Sequence, residues 1–143
     1  MTDASFHLER FATAQAAVYD QVLTELRAGR KTGHWMWFIF PQLAGLGHSA
    51  TAQYYGICSL EEAQAYLQHP VLGERLRTCT RIVTDLPAVS LRHIFGTPDD
   101  LKFCSSMTLF SEVAGKEAAL FNAALQRWCP GPDEATLRLL KSI

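Results

Sequence analysis

Two stretches of this chain carry side chains able to bind a ligand or move a proton. The first runs from His34 to Ser49, His-Trp-Met-Trp-Phe-Ile-Phe-Pro-Gln-Leu-Ala-Gly-Leu-Gly-His-Ser. Trp35 and Trp37 offer indole faces that stack on a planar ligand or hold a cation. His34 is suited to general acid/base work or to ligand hydrogen bonding. The Gln42 amide can donate and accept together. Gly47, His48 and Ser49 lead into a predicted helix start, whose free N–H groups favour an anion. This is not the dinucleotide fingerprint, because a third glycine and a preceding strand are missing. Each residue also has a plainer reading. Burying a Trp or Phe is worth about 2–3 kcal/mol, so the aromatics suit a core. Gln42 suits a loop brace, and Ser49 a helix cap after a glycine turn.

The second stretch is Gly96 to Phe110. On a helix, Asp99, Lys102 and Ser106 fall on adjoining turns of one face, with Ser105 beside them. A salt bridge on a solvated face is one reading. The other starts from Ser105, Ser106 and Thr108, hydroxyls among apolar residues that need partners if they face inward. A ligand or the His34 segment could supply those partners. A Ser-Lys nucleophile can be drawn, but no elbow motif or third orienting group accompanies it. The catalytic candidates are therefore His34, Lys102 and Ser106. The ligand-binding candidates are Trp35, Trp37, Gln42, Gly47, His48, Ser49, Asp99 and Ser105. No metal site and no particular cofactor is indicated. His69-Pro70 with Arg75 reads as a structural junction, and Asp133 with Thr136 as a helix start.

The elements that must position these residues read as helices. Phe11, Ala14, Val18, Val22 and Leu26 recur at spacings of three and four, predicting one helix that Gly29 ends. Ser49 caps a short helix through Tyr55. Ser59 and Glu62 form a capping box ahead of Ala63, Tyr66 and Leu67. Pro70 opens a helix with Leu72, Leu76, Cys79 and Val83 on one face, and Pro87 ends it. A short turn follows at Ser90–Phe95. Thr97-Pro98 starts a helix running to about Ala114, and further helices span Glu117–Trp128 and Asp133–Lys141. Trp35–Phe40 could suit a strand, but no second β-rich run is visible to pair with it. The prediction is an all-α single domain over 1–143, of seven or eight short helices with one buried, irregular or helical aromatic segment.

Length and composition agree. A chain of 143 residues with 48% hydrophobic residues can bury roughly two-thirds of its unfolded surface without disulfides or metal. The net charge of −1 provides no field to attract nucleic acid or an anionic membrane, despite a small cluster of Arg27, Arg30 and Lys31. Cys58, Cys79, Cys104 and Cys129 form no C-x-x-C pair and are expected to be reduced, mostly buried thiols. The start of the chain, with Asp3 and Glu9, lacks a signal-peptide pattern. No apolar run is long enough to span a bilayer, and no repeat of about 33 to 47 residues is visible. A cytoplasmic protein is expected.

Several segments resemble a known family. His34-Trp-Met-Trp-Phe-Ile-Phe-Pro-Gln42, Gly45-Leu-Gly47, Tyr55-Gly-Ile57, His69-Pro-Val-Leu-Gly73, Ile94-Phe-Gly96, Asp99-Asp-Leu-Lys102 and Ser105-Ser-Met-Thr-Leu-Phe110 are similar to the motifs of domain-of-unknown-function family 1810, small bacterial proteins sometimes labelled calpastatin. The resemblance covers nearly the whole chain and implies a compact all-α fold, with no reaction or ligand to carry over. The calpastatin label does not suit the composition, since an inhibitor of that kind is disordered, polar and repetitive.

Two function classes follow. One is a pocket between the His34–Ser49 segment and the helix bearing Lys102, Ser105 and Ser106, taking a small planar anionic ligand such as a nucleotide derivative, with or without turnover. The other is a protein–protein interaction module whose exposed aromatics are anchors. The oligomeric state is left open.

Overall fold

The computed structural model describes residues 6–88 and 90–143; Asp3, cited above, lies outside them. Among the described residues ten α-helices follow one another: α1 (Glu9–Ala16), α2 (Tyr19–Arg27), α3 (Met36–Ile39), α4 (Ala50–Tyr54), α5 (Leu60–Gln68), α6 (Leu72–Asp85), α7 (Leu91–Phe95), α8 (Asp99–Val113), α9 (Ala118–Trp128) and α10 (Glu134–Ser142), with a 3-10 turn at Gly115–Glu117. The described residues contain no strand, only one parallel bridge between Leu43 and Ile57. The fold is all-α around one continuous core.

The helix count exceeds the expectation for two reasons. The helix predicted from Phe11 to Leu26 breaks at Ala17–Val18, where Val18 leaves helical geometry. The break lets α1 pack on α3 while α2 turns onto α6, so Phe11 and Val22 are both buried against different neighbours. The aromatic segment contributes a single helical turn, with Trp35 and Phe40 as its caps.

α8 is the central element, touching α5, α7, α9 and α10. Its residues from Ser105 to Phe110 are all buried, because helices cover it on several sides. Phe103 of α8 stacks on Phe95, with ring centroids 5.2 Å apart, and meets Phe40 edge-on at 5.0 Å. Trp35 closes this group against Phe40 and Phe95. Phe40 is core, as its plainer reading has it, but the two tryptophans reverse the expectation: Trp35, set beside His34 for a ligand, is fully buried, whereas Trp37 is only half-buried.

One expectation about cysteine is overturned. Cys104 of α8 and Cys129, just after α9, form a disulfide. Only Cys79 is a buried thiol, and Cys58 is an exposed one. No spacing rule pairs residues 25 apart; the antiparallel packing of α8 on α9 brings them together.

Candidate functional site

The His34 segment is organised from below by Glu25. This α2 carboxylate accepts the backbone N–H groups of Thr32 at 2.8 Å and Gly33 at 2.9 Å, and the Trp35 indole N–H at 2.9 Å. The Gln21 amide donates to its other oxygen at 2.7 Å. Burial opposes the charge, but the Gly33, Gln21, Thr32 and Trp35 donors outweigh it and hold the carboxyl at about 2. Gly33 is needed here for space, since a Cβ would lie 2.8 Å from the Trp35 ring. The segment leading to His34 is thus pinned at three donors. The sequence reading missed Glu25, because three of its four partners, Thr32, Gly33 and Trp35, arrive from beyond its own helix.

Lys31 is not the surface cation that its neighbours Arg27 and Arg30 suggest. Its side chain is 8% exposed, and its ammonium pairs with Asp99 at 2.7 Å, donates to the Gly33 carbonyl, and lies over the Trp35 ring. The other Asp99 oxygen faces Lys102 at 3.4 Å, and the Lys102 ammonium sits 4.8 Å from the Trp37 ring centroid. Asp99, Lys102, Trp35 and Trp37 therefore do converge, with Lys31 as the member the sequence did not single out.

Trp37 also lines an open cleft of about 520 Å³. His34, Trp37 and Phe38 form one wall, and Ala50, Thr51, Tyr54 and Tyr55 form the other. The second wall is therefore α4, not α8. Phe38 and Tyr55 lie 5.4 Å apart, and Tyr54 meets Tyr55 edge-on at 4.8 Å. Burial raises the Tyr55 hydroxyl pKa, with the Tyr54 hydroxyl adding to it. The adjacent tyrosines were a usable signal: a five-residue helix buries none of its own residues, so it has no core to hide both rings in.

Two buried groups anchor these walls. Gln15 donates to the Phe38 carbonyl at 2.7 Å and to the Tyr66 hydroxyl at 3.0 Å, fixing α3. Arg10 donates to the carbonyls of Tyr54 at 2.8 Å and Gly56 at 3.1 Å, and pairs with Glu62 at 2.8 Å. This ties the end of α4 to α5.

The remaining candidates lie elsewhere. Ser105 donates to the Leu101 carbonyl and to Asp133, both at 3.1 Å, and Asp133 in turn caps α10 through the Thr136 N–H. Ser106 is fully buried, and its hydroxyl has no partner. Ser49 caps α4 by accepting from Ala52 N–H. Gly47 lies so close to α4 that a Cβ would sit 2.6 Å from the Ala52 Cβ. The Gln42 carbonyl accepts from Ile57 N–H. His48 is exposed, and its carbonyl accepts from Gln53. None of these six lines the aromatic cleft. Among the described residues, no three His, Cys, Asp or Glu side chains gather where a metal could be held.

A family model described as "Protein of unknown function (DUF1810)" matches residues 5–140. The chain is also similar to the conserved hypothetical protein Rv1873 from Mycobacterium tuberculosis, whose crystal structure is known. The two are 56% identical over 96% of this chain and 98% of that one, with a TM-score of 0.93. No curated protein matches.

Proposed function

The chain belongs to the DUF1810 family of proteins of unknown function, and we propose that it binds a small planar anionic molecule, of the nucleotide-derivative class, in the cleft between α3 and α4. The observation that carries this reading is the convergence of Trp37, Phe38, Tyr54 and Tyr55 on one opening that His34 borders. Its volume is in the range of roughly 300–1,000 Å³ usual for ligand sites. Stacking on the rings would supply affinity. His34 is exposed and could hold or move a proton at the ligand. Lys102, behind Trp37, would favour negative charge.

The test is a thermal-shift and titration series with nucleoside phosphates, ADP-ribose and nicotinamide mononucleotide. A ligand at a hundred times its dissociation constant adds about 2.7 kcal/mol, a shift of several degrees for a domain this size. The shift should vanish in Trp37→Ala and Tyr54→Ala variants that still fold. A shift that survives both substitutions would place the site elsewhere.

Tyr54 is 53% exposed at the rim of the cleft, which favours the second reading, an interaction module with Tyr54 as an anchor. Association that rises with concentration and is lost in Tyr54→Ala would select it over the ligand site. No helix among the described residues is long and apolar enough to cross a membrane. On the same reading the protein works in the cytoplasm. There the Cys104–Cys129 bond would face a reducing thiol pool, so its redox state in cells tests that placement.

A further inference from the structure

An aromatic cleft with no carboxylate can serve opposite ligands. Rings of Trp and Tyr hold organic cations through their quadrupoles, and they stack equally well on neutral or anionic heterocycles. The lining of this cleft does not decide between them, because its only ionisable groups besides His34 are two tyrosine hydroxyls.

The decision lies one layer behind. Asp99 shares its carboxylate between two lysines, unequally. Lys31 takes the closer oxygen at 2.7 Å with its side chain 8% exposed, whereas Lys102 is held at 3.4 Å with its side chain 23% exposed. Lys31 and Asp99 largely answer one another, and Lys102 is the looser cation. Glu25, the other carboxylate of this region, accepts from Thr32, Gly33, Trp35 and Gln21. Asp100 is turned to the Thr97 hydroxyl and the Leu101 N–H. On the α4 wall Arg10 reaches the Tyr54 carbonyl, but its charge is answered by Glu62 at 2.8 Å; on the α3 wall the charge is the Lys102 ammonium, 4.8 Å from the Trp37 ring centroid. A ring whose π density already faces one ammonium has less to offer a second. The same ammonium attracts an anion bound against that ring, within about one Debye length at physiological salt.

We infer that Lys102 is the specificity-determining residue of the cleft, setting it to accept planar anions and to refuse planar organic cations. The inference rests on the ligand site proposed above and adds the residue that selects charge.

The experiment uses two probes with one ring system: 2-naphthoate as the anion and 2-naphthyltrimethylammonium as the cation. Each is titrated calorimetrically into the full chain at low and high salt. The wild type should prefer naphthoate by at least about fivefold, the scale of one partly screened charge at this range, and the preference should shrink with salt. Lys102→Met keeps much of the apolar stem and removes the charge, so it should abolish the preference while ring binding persists. Lys102→Arg should retain it. Lys102→Gln is a second uncharged variant, and the salt series reads the same charge in the wild type should neither uncharged variant fold. Equal binding of the two probes, or a preference unchanged in Lys102→Met or by salt, would overturn the role of Lys102 alone. Failure of both probes to bind the wild type would instead overturn the site on which it rests.

Discussion

The indole N–H of Trp35 donates to the Glu25 carboxylate at 2.9 Å, and the same oxygen also receives the Thr32 and Gly33 amides. One buried anion thus sets both the rotamer of a core tryptophan and the path of the loop that carries His34. A carboxyl held at about 2 instead of 4.5 represents on the order of 3 kcal/mol of folding free energy. The folded value is the depressed one, so this stability is present above about pH 4.5 and is lost as pH falls toward 2. Glu25→Gln places an amide N–H among groups that all donate. It should lower stability at pH 7 by a few kcal/mol and flatten the acid limb, as read by urea unfolding at pH 7 and pH 3.5. A variant whose stability still falls as steeply as the wild type's over that window would assign the effect to another group.

Arg10 is the second buried charge. Its side chain is 7% exposed, and it donates to four carbonyls, those of Phe6, His7, Tyr54 and Gly56, besides its pair with Glu62. Removing it leaves the Glu62 carboxylate buried without its cation. Arg10→Met should cost about 3–5 kcal/mol, the usual penalty for breaking a buried pair from one side. Adding Glu62→Gln should return part of that loss. A double-mutant cycle by chemical denaturation checks this, and additive losses would show that the pair is not coupled.

These two residues also mark where sequence reading stops. The 3.6-residue apolar periodicity of α6 and the Ser49, Ser59 and Asp133 caps were legible, because each depends on neighbours within four positions. Glu62 was legible only as the capping-box partner of Ser59; its backbone N–H does bond the Ser59 hydroxyl, but its oxygens go to the Cys58 N–H and to Arg10, 52 residues away, and not back to Ser59. Arg10, Gln15 and Glu25 sit among polar helix residues, and nothing local says that they turn inward. Of the candidate site, the approach of Asp99 and Lys102 follows from helix geometry, and the sequence paired that helix with the tryptophans. It did not show that α4 closes the other wall, since that depends on how the Gly45–Ser49 loop folds back.

Gly73 tests close packing at the junction of α5 and α6. A Cβ there would lie 2.0 Å from the Leu67 carbonyl oxygen, a backbone atom that cannot swing away. Gly73→Ala should therefore destabilise by at least about 1–3 kcal/mol, the cost of overpacking, although alanine favours a helix more than glycine does. Gly115 gives the contrast: open space surrounds it, and its positive φ of 56° is the only obstacle, so alanine there should cost less. Melting temperatures of the two variants rank the two costs. The reverse order would mean that α6 shifts freely away from α5.

The Cys104–Cys129 bond closes a 25-residue span that contains all of α9. By loop entropy such a cross-link contributes about 3.5 kcal/mol, mainly by restricting the unfolded chain. Other contacts hold the same region in the folded state. Trp128 donates to the Val83 carbonyl at 2.8 Å, and Asp133 N–H donates to the Thr108 hydroxyl at 2.8 Å. Reduction should therefore leave the fold in place and lower its melting temperature by roughly 10 °C. Cys104→Ser with Cys129→Ser should reproduce that fall without reductant. Circular dichroism of the reduced protein should keep its helical signal at 25 °C. Loss of helix on reduction would instead show that the bond holds α9 against α8, a role that the packing of these two helices otherwise fills.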